Sequence, residues 1–177
     1  GELMKEAASI PGSMTAVRAG RDEMQAYLDE WDCTVVIANI NSPSQVVIAG
    51  ETFEVEKAEE QLKSAGVTFM RLGVATAFHT EIVGPSAEPF HEFLADVKVS
   101  KPKIPVYSNT TASTYGTKAS EIRATLAWQL ANPVRFQEMI EQMHDDDNRL
   151  FLEVGPSRSE QSRVGKGCNS RWPAEHN

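Results

Sequence analysis

An α/β fold class is predicted for this chain of 177 residues by three observations. Six short segments between Met14 and Ala75 follow the order β-α-β-β-α-β, strand-like and helix-like segments keep alternating after His79, and glycine, proline or asparagine closes most of them. The first of these observations defines a unit and the second an incomplete layer.

The chain opens on "GELMKEAA", which reads as the last turns of a helix already under way. Residues 1–12 are therefore expected to be a helix end and a linker, with the chain starting inside a larger protein. "MTAVRAG" alternates and stops at Gly20, and "RDEMQAYLDEW" sets Met24, Tyr27, Leu28 and Trp31 at helical spacing. This is a strand followed by a helix. "TVVIANI" and "QVVIAG" are β-rich runs joined by the turn residues "NSPS", which predicts a hairpin. In "TFEVEKAEEQLKSAG", Thr52 is a candidate N-cap, Val55, Ala58, Leu62 and Ala65 share one face, and Gly66 ends the helix. "VTFMRLGVA" returns as a strand. Two helices over one face of an antiparallel sheet is the ferredoxin-like arrangement, expected here for residues 13–75.

Beyond His79, "PSAEPFHEFLADV" predicts a helix started near Pro85, and "KIPVYSNTT" a short buried strand. "KASEIRATLAWQLANPV" predicts a helix stopped before Pro133, "VRFQEMIEQMHDDD" another helix, and "RLFLEVGP" a last strand. These elements, residues 76–156, suggest a slice of a larger α/β layer. Residues 157–177 show little apolar periodicity and are expected to be irregular.

Composition narrows the function. A net charge of −8 disfavours coating nucleic acid or an anionic membrane. No run approaches the ~20 apolar residues of a membrane span, and the start lacks a secretory pattern, so a soluble cytoplasmic protein is expected. Cys33 and Cys168 have neither CxxC nor metal-ligand spacing, and Cys33 suits a small apolar packing role. No histidine pattern predicts a metal site.

His79 stands where a strand meets a connection, a place from which α/β proteins present catalytic groups. An imidazole there can take a proton from a hydroxyl nucleophile and return it to a leaving group, provided that a nucleophile and an orienting group lie within reach. Taken locally, a packed histidine without chemistry is the commoner role. His91, His144 and His176 suit solvated positions. A GxSxG elbow is lacking, since "GPSAE" and "GPSRS" place proline after glycine and have no second glycine. Asn39 and Asn41 interrupt the hairpin's first apolar run and Gln45 starts the next, with the asparagines acting either as turn formers or, with Gln45, as a polar lining for a cleft.

Taken together, "ANINSPSQVVIAG", "TAFHT", "PVYSNTT", "QLANPVRF" and "FLEVGPS" strongly resemble the malonyl-CoA:acyl-carrier-protein transacylase family. They are most similar to acyltransferase domains of iterative type I polyketide and polyunsaturated-fatty-acid synthases, in order from about Gly1 to Ser157. The resemblance implies an α/β-hydrolase-like large subdomain, of which this chain holds the C-terminal part, with the ferredoxin-like subdomain inserted. It also implies malonyl transfer from coenzyme A to a serine, then to the phosphopantetheine thiol of an acyl carrier protein. Malonyl-CoA is then a substrate, and no bound cofactor is implied.

By the same resemblance His79 is the general base and Gln129 offers it a backbone carbonyl in place of a triad acid, although Gln129 also suits an ordinary helix end. Asn41, Gln45 and, more weakly, Asn39 match positions along the acyl or pantetheine path. Thr76-Ala77-Phe78-His79 is similar to the family's HAFH stretch, in which the phenylalanine accompanies malonyl over methylmalonyl, so Ala77 and Phe78 are substrate-site candidates. A ring filling the space of an α-methyl costs the bulkier substrate about 1–3 kcal/mol.

Two departures accompany the resemblance. The family's serine elbow and carboxylate-binding arginine would lie before Gly1, and after "EVGP" the family's apolar helix is replaced by "SRSEQSRVGKGC". The chain is therefore expected to be inactive alone and to work with the rest of a multidomain synthase. The competing expectation is a carrier-protein-binding or structural module without chemistry.

Overall fold

The computed structural model describes residues 11–152 and 154. Described residues up to Asp147 form one compact unit, and those from Asn148 belong to a second. The expected helix end within residues 1–10 and the tail 157–177, with Cys168 and His176, lie outside the described residues.

The first unit is an α/β fold with a mixed sheet. Strand β1 (Gly12–Val17) leads to helix α1 (Arg21–Glu30), the hairpin β2 (Val36–Ser42) and β3 (Gln45–Glu51), helix α2 (Thr52–Ser64) and strand β4 (Phe69–Arg71). A 3-10 turn (Glu81–Ser86) then runs into α3 (Ala87–Ala95). The short strands β5 (Tyr107–Ser108) and β6 (Ser113–Thr114), helix α4 (Ala119–Trp128), strand β7 (Val134–Arg135) and helix α5 (Phe136–Asp145) complete it. The main sheet has the order β4-β1-β3-β2-β7, antiparallel except for the β2–β7 pair.

Burial on both sheet faces explains why β3 reads as a continuous apolar run rather than an alternating one. Val46 and Ile48 face a cluster with Val17, Met24, Val55, Ala58 and Leu62, which includes the inner faces of α1 and α2. Val47 and Ala49 face the other side, with Met14, Ala16, Ala38 and Ala77. Leu72, Val74, Phe78 and Ile82 pack against this second cluster, so the segment that carries His79 lies on the sheet face opposite the two helices. Each fully buried side chain of this size contributes about 1.5–3 kcal/mol. The sheet is thus the platform for both the helices and the loop.

Helix boundaries depart from expectation in places that have physical causes. Thr52 is the first residue of α2 rather than its cap: its N–H donates to Pro11 O at 3.2 Å and its hydroxyl lies 3.0 Å from Ser13 Oγ, which ties the helix start to the start of β1. Gly66 ends the helix as read, at φ +71°, a conformation open to glycine. Pro85 lies inside the 3-10 turn, so α3 starts two residues later.

Three further expectations are corrected. Val134 and Arg135 form β7 instead of opening the last helix, because the edge of β2 offers hydrogen bonds to an extended chain just released by Pro133. The strand near "KIPVYSNTT" is only the β5 pair with β6, and Ile104 and Val106 are exposed because no layer covers them among the described residues. "RLFLEVGP" forms no strand over residues 149–152 and 154, since an extended segment needs a neighbouring strand and none pairs with it there.

Cys33 is a free, half-buried thiol that packs against the helix-side cluster, and burial pushes its pKa up, which suppresses thiolate reactivity. No helix among the described residues is long and apolar enough to cross a membrane.

Candidate active site

His79 has a left-handed backbone, φ 63°, one of the few such positions outside glycine among the described residues. That conformation costs a non-glycine residue roughly 1–2 kcal/mol, so surrounding bonds must hold it. Two of them come from consecutive carbonyls. The backbone N–H of His79 donates to Leu130 O at 2.9 Å, and Nδ1 lies 2.9 Å from Gln129 O. Because a carbonyl can only accept, Nδ1 carries the hydrogen and Nε2 keeps its lone pair. The ring is half-buried.

Thr80 secures the other side of the histidine. Its hydroxyl donates to Ala77 O at 2.8 Å and accepts from Ile82 N at 3.2 Å, so it caps the 3-10 turn while closing the loop behind His79. The polar residue after the histidine is thus a backbone device.

Gln129 is the C-cap of α4, where helix carbonyls lack intrahelical donors. Its side chain has a separate contact: Thr110 Oγ1 donates to Gln129 Oε1 at 2.6 Å, and Nε2 is buried without a hydrogen-bond partner. Next to Thr110, Asn109 accepts from Arg135 N at 2.9 Å through its backbone oxygen. The loop after β5, the end of α4 and strand β7 are therefore bonded to one another around the support of His79. Thr110 is a residue that sequence reasoning missed, although it lies within the quoted segment "PVYSNTT".

The other candidates are distributed differently. Phe78 is half-buried and lines a shallow depression with Val83, Ser86 and Leu130. Ala77 is wholly buried in the second apolar cluster, with its side chain packed against the sheet. Asn39 lies in β2 at register positions opposite Val47 and Val134, and its Oδ1 is buried without a partner. Asn41 falls at an irregularity of the β2–β3 ladder, and Gln45 pairs in register with Ser42 at the hairpin end. Bulges re-aim side chains, which suits the hairpin to a lining role on geometry alone. The hydrogen bonds that hold His79 come from Gln129 and Leu130 and not from this hairpin.

A larger open cleft, lined by Gly20, Arg21, Ile40, Pro43, Gln137 and Glu138, does not include His79. Within it Glu138 Oε1 lies 3.0 Å from Arg21 Nη1, and Glu138 is also paired to Arg135. Among the described residues, no group of three or more His, Cys, Asp or Glu is arranged to hold a metal ion. What the site offers is a histidine with a fixed tautomer and an available Nε2.

Comparison with known proteins gives consistent matches. The family described as "Acyl transferase domain" matches residues 1–175. The chain is 34% identical to the malonyl CoA-acyl carrier protein transacylase of Bacillus subtilis, over 89% of this chain and 51% of that protein. It is 31% identical to a polypeptide of the phenolphthiocerol/phthiocerol polyketide synthase of Mycobacterium tuberculosis, over 89% of this chain and 10% of that polypeptide. A solved structure of a type II PKS acyl-carrier protein in complex with its malonyl-transacylase matches with a TM-score of 0.81 and 32% identity, covering 89% of this chain and 52% of that one. The chain spans about half the length of the transacylase and about a tenth of the synthase polypeptide.

Proposed function

The chain belongs to the acyl transferase domain family, and on that premise we propose that it contributes the general base and the small subdomain to a malonyl-CoA:acyl-carrier-protein acyltransferase. The observation that carries this reading is the His79–Gln129 pair, which leaves Nε2 as the one imidazole nitrogen able to accept a proton. Residues 13–75 are read as the ferredoxin-like small subdomain and 76–156 as the C-terminal part of an α/β-hydrolase-like large subdomain, working in the cytoplasm.

In the proposed reaction Nε2 takes the proton of a serine hydroxyl as that oxygen attacks the malonyl thioester. The imidazolium then gives the proton to the departing coenzyme A thiolate, leaving a malonyl-serine ester. In the second half Nε2 takes the proton of the carrier protein's phosphopantetheine thiol, which attacks the ester, and returns the proton to the serine oxygen. The Gln129 carbonyl holds Nδ1–H throughout and stabilises the imidazolium through its dipole, where an aspartate would do so by charge. Phe78 fills volume next to this ring and selects against an α-methyl, Asn39, Asn41 and Gln45 belong to the walls of the acyl path, and Ala77, wholly buried against the sheet, supports Phe78 from behind rather than touching the acyl group.

No GxSxG occurs in the 177 residues, so the serine is supplied by a segment outside them. The relatives' greater length supports this, as does the exposure of Phe93 at 61% and Ile104 at 72%, apolar groups that a packed layer would cover. The carrier-protein partner rests on the solved transacylase complex.

The test is transfer of malonyl from malonyl-CoA to a carrier protein, followed by intact-protein mass spectrometry. The chain alone should stay unmodified, and adding the N-terminal segment of a relative that carries GHSxG should restore transfer. In the restored enzyme His79→Ala should lower the rate at least ~10²-fold. Methylmalonyl-CoA should react about 10- to 200-fold more slowly than malonyl-CoA, with Phe78→Ser narrowing the gap. A malonyl adduct on the isolated chain would overturn the division of labour, and transfer unaffected by His79→Ala would overturn the base.

A further inference from the structure

The two carbonyls that hold His79 come from residues just past the last turn of α4, and a feature four residues further on keeps them unclaimed. In a helix each carbonyl accepts from the N–H four residues later. Trp128 O does so, accepting from Asn132 N at 3.1 Å and also from Ala131 N at 3.1 Å. The Asn132 side chain adds a third donor to the same oxygen, Nδ2 at 2.7 Å. The next donor in register would be residue 133, and proline has no N–H. The one after it belongs to Val134, which has already left the helix for its pairing with β2. Gln129 and Leu130 therefore have no helical donor, and His79 takes both oxygens.

We propose that Pro133 is a positioning residue: by withholding the N–H that would close the next helical hydrogen bond, it reserves the Gln129 carbonyl for the His79 imidazole and so sets the ring's tautomer. Proline also disfavours helical backbone at the residue before it, and Asn132 completes the stop by saturating Trp128 O. An N–H at position 133 would share the Gln129 oxygen with Nδ1, and a shared acceptor holds each donor less strongly. An imidazole held less strongly exchanges tautomers and offers Nε2 as an acceptor only part of the time. The consequence for catalysis rests on the base role proposed above, whereas the tautomer itself does not.

The experiment therefore reads the ring and not the transfer reaction. Two chains are compared with the native one: Pro133→Ala, which restores the N–H, and a chain with lactic acid at position 133, which has the alanine methyl but an ester oxygen in place of the N–H. Ring ¹⁵N spectra are recorded with the imidazole neutral, and amide spectra establish that each chain is folded. The native and lactate chains should show a pyrrole-type Nδ1 and a pyridine-type Nε2, and the alanine chain averaged shifts from both tautomers. A single tautomer in all three overturns the proposal. Averaged shifts in the lactate chain overturn it as well, since the effect would then belong to the proline ring, and should Pro133→Ala not fold, Pro133→Ser, which also restores the N–H, takes its place in the same comparison. Transfer in the restored enzyme unaffected by His79→Ala, with the expected spectra, would sink the base role and leave this inference standing.

Discussion

Gly12 sits at the start of β1, where an added methyl would lie 2.4 Å from Ala77 N and 2.8 Å from Ala77 Cβ. Neither atom is the end of a flexible side chain, so the loop two residues before His79 would have to move as a unit. Gly12→Ala is therefore expected to destabilise the fold by about 1–3 kcal/mol, read as a lower urea midpoint. An unchanged midpoint would mean that the His79 loop yields freely, and would count against the rigid support described for the imidazole. "TAFHT" identifies a histidine at a strand end, but its positive φ and its carbonyl partners are invisible in that stretch. Both depend on residues about fifty positions away.

At the scale of elements, α2 shows how a local signal and a tertiary bond combine. Val55, Ala58 and Leu62 are buried as their spacing requires, while Glu54 in the first turn accepts from Thr34 N at 2.8 Å. That backbone bond holds the Glu54 carboxyl below the usual carboxylate range, with Lys57 adding to the effect. The sign follows from linkage. A carboxylate with a depressed folded-state pKa stabilises the protein above its unfolded-state pKa and loses that contribution as pH falls through the folded value. The stability gap between the native chain and Glu54→Gln should therefore be open at neutral pH and close on acidification through that range. A gap that stays constant with pH would show that the Thr34 bond does not depend on the charge. The six elements from β1 to β4 were legible because each carries its own period and stop. Strand β7 was not, since "VRFQ" also continues a helical pattern and only the free edge of β2 makes it extended.

Over the whole first unit, two apolar clusters cover the two faces of one sheet, yet Phe93, Ile104, Val106, Trp128 and Phe136 remain exposed. If a second segment of the domain covers these groups, an environment-sensitive apolar dye should bind the isolated chain and be displaced when the serine-bearing segment of a relative is added. Dye fluorescence unchanged by that segment would place the exposed groups outside the shared surface. Composition, the order of elements and the motifs around His79 and Gln129 were determined by the sequence itself, because hydrophobic period, turn residues and proline act over a few neighbours. The direction of the imidazole, the burial of Ala77 against Gly12 and the conversion of Val134–Arg135 into a strand were decided only by the tertiary structure. Each depends on which distant backbone group is left with an unused hydrogen bond or an unfilled space, and a linear pattern does not carry that information.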